Sequence, residues 1–465
     1  MSPTSIPRAP GSVTETRNLP LDADAVAEGD ATADASPPHQ ADLRSLTLAL
    51  GGTFILRCAS YAAGIMIPIF LGLRSRTEHD VTVGLASLVA VTFYASELVG
   101  APIFGSLSDR FGRKPFMILG PVLGGIAVHL LGFTVIVPVL VLVRTLQGFS
   151  TATAAPATLG FLSAQTAGSE KLRGRVMGLY EAATVVGLAA GAAIGGRLYE
   201  HLGVGAFTVV AVIYVLALVP FLALNDTRPA GPAVHRHGLL QGMLNRRITR
   251  FAPAWLAANA VLGAWFAVGP FLAAGTADQR QFLMRSYAPG EIGIAYLVFG
   301  IVFTLGAVTW GFVMPVIGRQ ATLLIGVGGL GFSSVVLWVL NQTSRVAPEG
   351  LIYVLIGLVI VGIFVESGFT PAALAYLAEI AEERPGHRGA VMGLYSVLLS
   401  VGQLLGGALA APFAERLGIN GLIILTGLLC LVALFTVMLL GHAERRYARA
   451  LATAAAAPAT TTHAL

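Results

Sequence analysis

Twelve mostly apolar stretches order this chain: residues 45–73, 81–104, 115–136, 138–164, 176–199, 204–224, 251–273, 291–314, 321–340, 351–377, 389–411 and 419–441. Each has the roughly 20 apolar residues that an α-helix needs to cross about 30 Å of hydrocarbon. Backbone polar groups find no water there, so the runs are expected as helices rather than open strands. The pattern predicts an all-α membrane protein with 12 transmembrane helices, spans 1 to 12.

The segments between the runs set the orientation. With the N-terminus inside, inner loops and C-terminal tail carry 17 Lys and Arg, and outer loops carry 7. That bias places both termini in the cytoplasm of a plasma (inner) membrane. Residues 1–43 hold seven acids and two arginines among Ala, Pro, Ser and Thr, which reads as a disordered acidic tail. A six-helix bundle over 44–224 follows, then a cytoplasmic linker over 225–250, a second bundle over 251–441, and a C-terminal tail over 442–465. Leu239–Leu244 is expected as a short surface helix within the linker. Asn341-Gln342-Thr343 forms a glycosylation sequon in an outer loop.

The two bundles repeat each other. Arg173-Gly174-Arg175-Val176-Met177-Gly178-Leu179-Tyr180 returns 215 residues later as Arg388-Gly389-Ala390-Val391-Met392-Gly393-Leu394-Tyr395. The same spacing pairs Pro156 with Pro371, Gly187 with Gly402 and Gly191 with Gly406, while an offset of 202 pairs Pro68 with Pro270. A duplicated six-helix unit suits a transporter whose halves rock about a central site.

Composition agrees. The chain is 55% hydrophobic and only 11% charged, against about 25% charged in soluble domains. The two cysteines, Cys58 and Cys430, sit inside apolar runs, so neither a disulfide framework nor a metal motif is expected. Basic residues lie in short loops, which argues against nucleic-acid binding. No nucleophile–base arrangement or phosphate-binding glycine loop stands out, so the chain reads as neither an enzyme nor an ATP-driven pump, and no cofactor is expected.

One short stretch is unlike the rest. Gly105–Lys114, G-S-L-S-D-R-F-G-R-K, joins spans 2 and 3 and carries Asp109, Arg110, Arg113 and Lys114. Gly105 and Gly112 are expected to make a tight turn. A worn copy follows at an offset of 206, where Gly311, Gly318 and Arg319 match Gly105, Gly112 and Arg113. The pattern resembles the span 2–3 signature of the major facilitator superfamily. Arg144-Thr145-Leu146-Gln147-Gly148 resembles the family's span 4 signature, whose arginine is linked to proton transfer. Gly187–Gly196 resembles its antiporter signature, with Ala192 where a proline belongs. The resemblance covers 44–445. It implies alternating access around a cavity lined by spans 1, 4, 7 and 10, with the 105–114 turn latching the inner side against the start of span 11.

Five charged residues fall inside the runs away from their ends, where each costs about 2.5–3.5 kcal/mol unless paired or hydrated. None has a charged partner at its repeat position: Arg57 meets Asn259, Glu97 meets Phe303, Arg144 meets Val359, Glu181 meets Ser396, and Glu366 meets Thr151. Arg144 and Glu366 are the expected proton-coupling pair. Arg57, Tyr61, Gln147, Asn259, Glu366 and Phe369 are expected to line the substrate cavity. Glu97 and Glu181 are expected near the inner surface, joining Gly105, Asp109, Arg110, Gly112 and Arg113 in the latch. His129 is expected at a packed or lipid edge. These readings favour a monomeric, proton-coupled exporter of small amphiphilic compounds. An uptake symporter or facilitator for a polar or anionic solute, and a non-transporting sensor, are the alternatives.

Overall fold

A computed structural model describes the backbone of residues 42–131, 136–166, 169–225, 246–343, 347–382 and 388–456. The acidic tail up to residue 41 and the Leu239–Leu244 segment lie outside the described residues. Among those described, twelve helices are long and apolar enough to cross a membrane. In the first half these are α1 Leu43–Arg74, α2 Val83–Phe111, α3 Arg113–Leu131, α4 Val137–Gln165, α5 Glu170–Leu202 and α6 Gly205–Leu222. The second half has α7 Arg246–Ala274, α8 Pro289–Ile317, α9 Arg319–Asn341, α10 Glu349–Glu366 with α11 Phe369–Glu382, α12 Arg388–Leu417 and α13 Ile419–Ala456. Spans 7 to 9 are α7 to α9, span 10 is α10 plus α11, and spans 11 and 12 are α12 and α13.

Helix ends differ from the hydropathy boundaries for chemical reasons. Asp42, placed with the tail by composition, caps α1: its carboxylate accepts from the Arg44 N–H at 3.1 Å and the Ser45 hydroxyl at 2.6 Å. It also accepts from Asn225 at 3.3 Å, tying the start of α1 to the end of α6. These bonds, the Ser45 hydroxyl foremost, hold the Asp42 carboxyl below the usual carboxylate range. At the other end α13 runs on to Ala456, past the expected boundary at 441.

The repeat holds at the level of contacts. A Cβ on Gly187 would meet Arg57 and Phe54, and one on Gly402 would meet Asn259 and Leu256. Gly100 of α2 faces Ala152 and Phe149 of α4, while Gly306 of α8 faces Ser367 and Phe364. Gly120 faces Ala154, and Gly326 faces Phe369. Every partner is displaced by its repeat offset of 202, 206 or 215. Small residues let helix backbones meet in a solvent with no hydrophobic drive of its own.

The described contacts between the halves gather toward the face remote from the termini. Gly72 of α1 abuts the Phe271 carbonyl of α7, and Gly196 of α5 abuts Pro289 and Gly293 of α8. Arg76 donates to the Ala274 carbonyl, through Nε at 3.0 Å. That face is braced by amide chemistry: Asn341 donates to Gln281 at 3.1 Å and Asn420 at 2.9 Å, and accepts from the Leu283 N–H at 2.8 Å. Asn341 is 0% exposed. Its amide is spent inside the fold, where a glycan has no room.

Span 10 is broken where its repeat partner is not. Pro371 has no N–H for the Ser367 carbonyl, and its ring crowds that carbonyl. Gly368 bonds back to Val365 at 3.3 Å, which frees the Phe364 carbonyl. That carbonyl accepts from the Trp310 indole of α8 at 2.9 Å and from the Ser367 hydroxyl at 2.7 Å. In α4 the equivalent Pro156 is followed through without a break, because Ala152-Thr153 stand where span 10 has Ser367-Gly368.

Candidate functional site

The broken turn puts Glu366, the last residue of α10, on the wall of a cavity of about 510 Å³. The cavity lies inside the second half. Trp265 and Phe266 come from α7, Tyr296 and Phe299 from α8, and Val359 and Ile363 from α10. Ser333, Ser334 and Thr426 add hydroxyls, each occupied with its own helix. Among the described residues, the Glu366 carboxylate has no hydrogen bond or ion pair, and Glu291 is the other acid on the wall. Aromatic rings pack edge-on around the space: Phe266–Tyr296 at 5.0 Å and Phe266–Phe299 at 6.2 Å. The size and lining are those of a small-molecule pocket.

One residue on the cavity wall departs sharply from its repeat counterpart. A Cβ on Gly148 of α4 would strike the Phe93 carbonyl and Ser96 at 2.6 Å, so α2 and α4 close tightly. The repeat position on α10 is Ile363. Ile363 is larger than its counterpart and lines the cavity.

The first half holds its charges differently. Arg144 is 7% exposed. Its Nε donates to the Val89 carbonyl at 3.0 Å, another guanidinium N–H donates to Gln147 at 2.8 Å, and Cζ lies 4.7 Å from the Phe93 ring centre. Arg144 and Glu366 are not brought together. Gln147, 3% exposed, is consumed by Arg144 rather than facing a cavity. Arg57 lines a narrow space with Ser60, Ser150, Thr151, Thr158 and Tyr180. It lies within electrostatic reach of Tyr180, Tyr61 and Glu97, and Glu181 feels it too.

Other expected positions are also corrected. Glu97 sits midway along α2, twelve residues from Asp109. That is about 18 Å of helix, so it belongs with Arg57 and not with the turn. Glu181 joins the same cluster. Asn259 is 5% exposed and donates to the Trp255 carbonyl at 2.9 Å. Phe369 stacks on Trp255 at 6.1 Å in the core of the second half. Neither lines the cavity. Gly105 is helical and packs on Pro156, so Gly112, at φ 96°, makes the turn alone. The described motif bonds stay within the first half: Arg113 to Asp109 at 3.5 Å, and Lys114 to the Leu224 carbonyl at 2.7 Å. The span 11 side chains that the latch would grip, from Arg388 on, lie outside the described residues. His129 is exposed beside Thr208 at 3.3 Å, as an edge residue would be.

A cluster on the face bearing the termini went unread in the sequence. Glu379 of α11 accepts from Arg247 of α7 at 2.8 Å and from Arg319 of α9. Both guanidinium groups lie over Tyr376, at 5.6 and 4.6 Å. Partial burial opposes ionisation of Glu379, but the two arginines outweigh it and hold its carboxyl below the usual range. The clue was present: Arg319 is the repeat copy of Arg113.

The family model for the Major Facilitator Superfamily matches residues 49–282 and 254–464. The chain belongs to that superfamily. Multidrug resistance protein 1 of Bacillus subtilis is 26% identical over 78% of this chain and 87% of its own length. The class C tetracycline resistance protein of Escherichia coli is 31% identical over 29% of this chain and 34% of its own. The crystal structure of a mutant of the nucleoside transporter NupG superposes with a TM-score of 0.69, at 14% identity, over 86% of this chain and 99% of that one. The last comparison speaks to the fold alone.

Proposed function

We propose that this superfamily transporter is a proton-coupled exporter of small amphiphilic compounds, working by alternating access in a plasma membrane with both termini cytoplasmic. The observation that carries the reading is the unpaired Glu366 carboxylate on an aromatic cavity of about 510 Å³ at the break in span 10. An acid held there without a fixed partner can exchange its proton with water on whichever side the cavity faces, or give its charge to a ligand. The 17-to-7 excess of basic residues supports a cytoplasmic position for the face bearing the termini. Contacts such as Gly196 on Gly293 then close the outer side, as in an inward-facing state. The resistance proteins among its relatives support the outward direction.

Uptake of an anion is the weaker alternative. Arg144 already donates to Val89 and Gln147, and Arg57 has two carboxylates within electrostatic reach, so neither offers a free anion site. Everted vesicles energised by a pH gradient and loaded with ethidium test the proposal. Glu366→Gln is expected to abolish gradient-driven dye accumulation and to keep dye exchange, which moves no net proton. Full accumulation by that variant would hand the proton to another group, with Glu97 and Glu181 next in line.

A further inference from the structure

The first half already holds a cation in the place where the second half is hollow. The contacts of Gly100 with Ala152 and Phe149 recur, residue for residue, as those of Gly306 with Ser367 and Phe364. Span 8 therefore stands to span 10 as span 2 stands to span 4. About two turns away along α4, Arg144 lays its guanidinium 4.7 Å from the Phe93 ring centre. The repeat counterparts of this pair are Val359 and Phe299. Both line the cavity, so a ring is retained and the cation that covered it is gone. Seven residues on, Thr151 of the first half becomes Glu366. Positions seven apart share a helix face, about 10 Å along the axis. The second half has thus lost a built-in positive charge and gained a negative one on a single face of one helix.

We infer that the second-half cavity binds a monovalent organic cation, its charged centre against the Phe299 ring and its charge answered by Glu366. The inference rests on the cavity being the substrate site. It adds the sign of the charge and the ring that meets it. The Phe299 face supplies the same quadrupole that Phe93 offers Arg144. Trp265, Phe266 and Tyr296 contribute apolar wall. A fixed carboxylate and an electron-rich ring both repel an anion of the same shape.

The test uses two ions of one shape and opposite charge, tetraphenylphosphonium and tetraphenylborate, in saturable binding to the purified full-length protein. Tetraphenylphosphonium is expected to bind at least about 10-fold more tightly. Phe299→Leu keeps the apolar volume and is expected to weaken it about 3- to 30-fold, the range from an exposed to a desolvated cation–ring contact. Val359→Arg puts a guanidinium beside Phe299, as Arg144 stands beside Phe93, and is expected to abolish binding, while Val359→Leu keeps the preference for the cation. Melting temperatures report folding, and Phe299→Leu decides the matter if Val359→Arg does not fold. Equal affinity for the two ions, no saturable phosphonium binding, or binding untouched by Phe299→Leu overturns the inference. If both ions bind and Val359→Arg expels both, the cavity stands as the substrate site and the charge preference falls. If Val359→Arg folds and leaves binding and ethidium transport intact, the site itself falls.

Discussion

Arg144 and Gln147 offer a test in which the sign of the outcome decides. The guanidinium makes two charge-assisted hydrogen bonds, at 3.0 and 2.8 Å, and covers a ring at 4.7 Å. Bonds of that kind contribute about 1.5–3 kcal/mol each, and a desolvated ring contact about 2 kcal/mol. Such buried charged arrangements nonetheless often only break even with well-packed apolar residues of similar volume, because desolvating a guanidinium costs several kcal/mol in a protein interior. The two sides nearly cancel, so the whole arrangement adds little net stability. Breaking half of it is another matter. Gln147→Leu strands the charge beside an apolar group and is expected to cost about 2–4 kcal/mol. Adding Arg144→Met removes the stranded charge, so the double variant is expected within about 1 kcal/mol of the parent and more stable than Gln147→Leu alone. Unfolding in mixed micelles of rising SDS fraction, followed by helical circular dichroism, measures each step. Additive losses would refute the reasoning and make Arg144 a net structural strut. A stable double variant that no longer moves ethidium would show that the charge is kept for transport.

Three further outcomes follow from the geometry. Gly293→Leu drives a side chain toward the Ala192 carbonyl, 2.6 Å from a Cβ, so it should pry the outer ends apart and raise labelling of Tyr296→Cys from outside; unchanged labelling would show that the halves do not separate there. Glu379 has a lowered carboxyl pKa, so its contribution is present above the ordinary Glu value of 4.5 and fades as pH falls through the lower folded value. Its side chain is 45% exposed, so Glu379→Gln should cost under about 1 kcal/mol at pH 7 and less in acid in thermal melts, and a cost that does not fall with pH would remove the ion pairs as its cause. Asp109→Asn breaks only a 3.5 Å pair near the start of α3 and should leave the melting temperature within a few degrees while raising cytoplasmic cysteine labelling; no rise in labelling would argue against a latch.

Much of the fold was legible because the bilayer imposes it. Twelve apolar runs became twelve spans, and the repeat offsets survived as contacts between glycines and their partners. The site was less legible, and the misses share causes. The apolar run of span 2 stops at 104 while α2 continues to Phe111 through the motif, so Glu97 looked terminal and is central. Hydropathy marks where hydrocarbon ends, not where the helix ends. Asn259 and Phe369 lie on spans that are apolar almost all round, and such a helix carries no signal for which way it is turned. The break in span 10 was hidden by Pro371 having a twin in unbroken α4; the deciding residues, Ser367 and Gly368, are ordinary small residues in sequence. The cavity wall carries Ile363 where the first half has Gly148, a difference visible in sequence but silent about which helix it faces.

The unequal treatment of charge between the halves gives the repeat its meaning. Duplication supplies two copies of every buried position, and each copy that keeps a charge must satisfy it. In the first half Arg144 does so internally, with Val89, Gln147 and Phe93, while Arg57 has Glu97, Glu181 and two tyrosines within electrostatic reach. A group whose bonds are complete within its own bundle gains nothing from a passing proton or ligand. Glu366 lies on the repeat of a face that in the first half carries threonine, and it has no hydrogen-bond or ion-pair partner among the described residues. A buried carboxylate without a fixed partner is costly in every state that leaves it so, and the cost falls when a proton or a cation arrives. A carrier needs that dependence at one point, since a ligand can drive a conformational change only by the difference in its interaction with the two states. The remaining charges can then serve as fixed framework, and the deviation of one half from the other locates where coupling has to be sought.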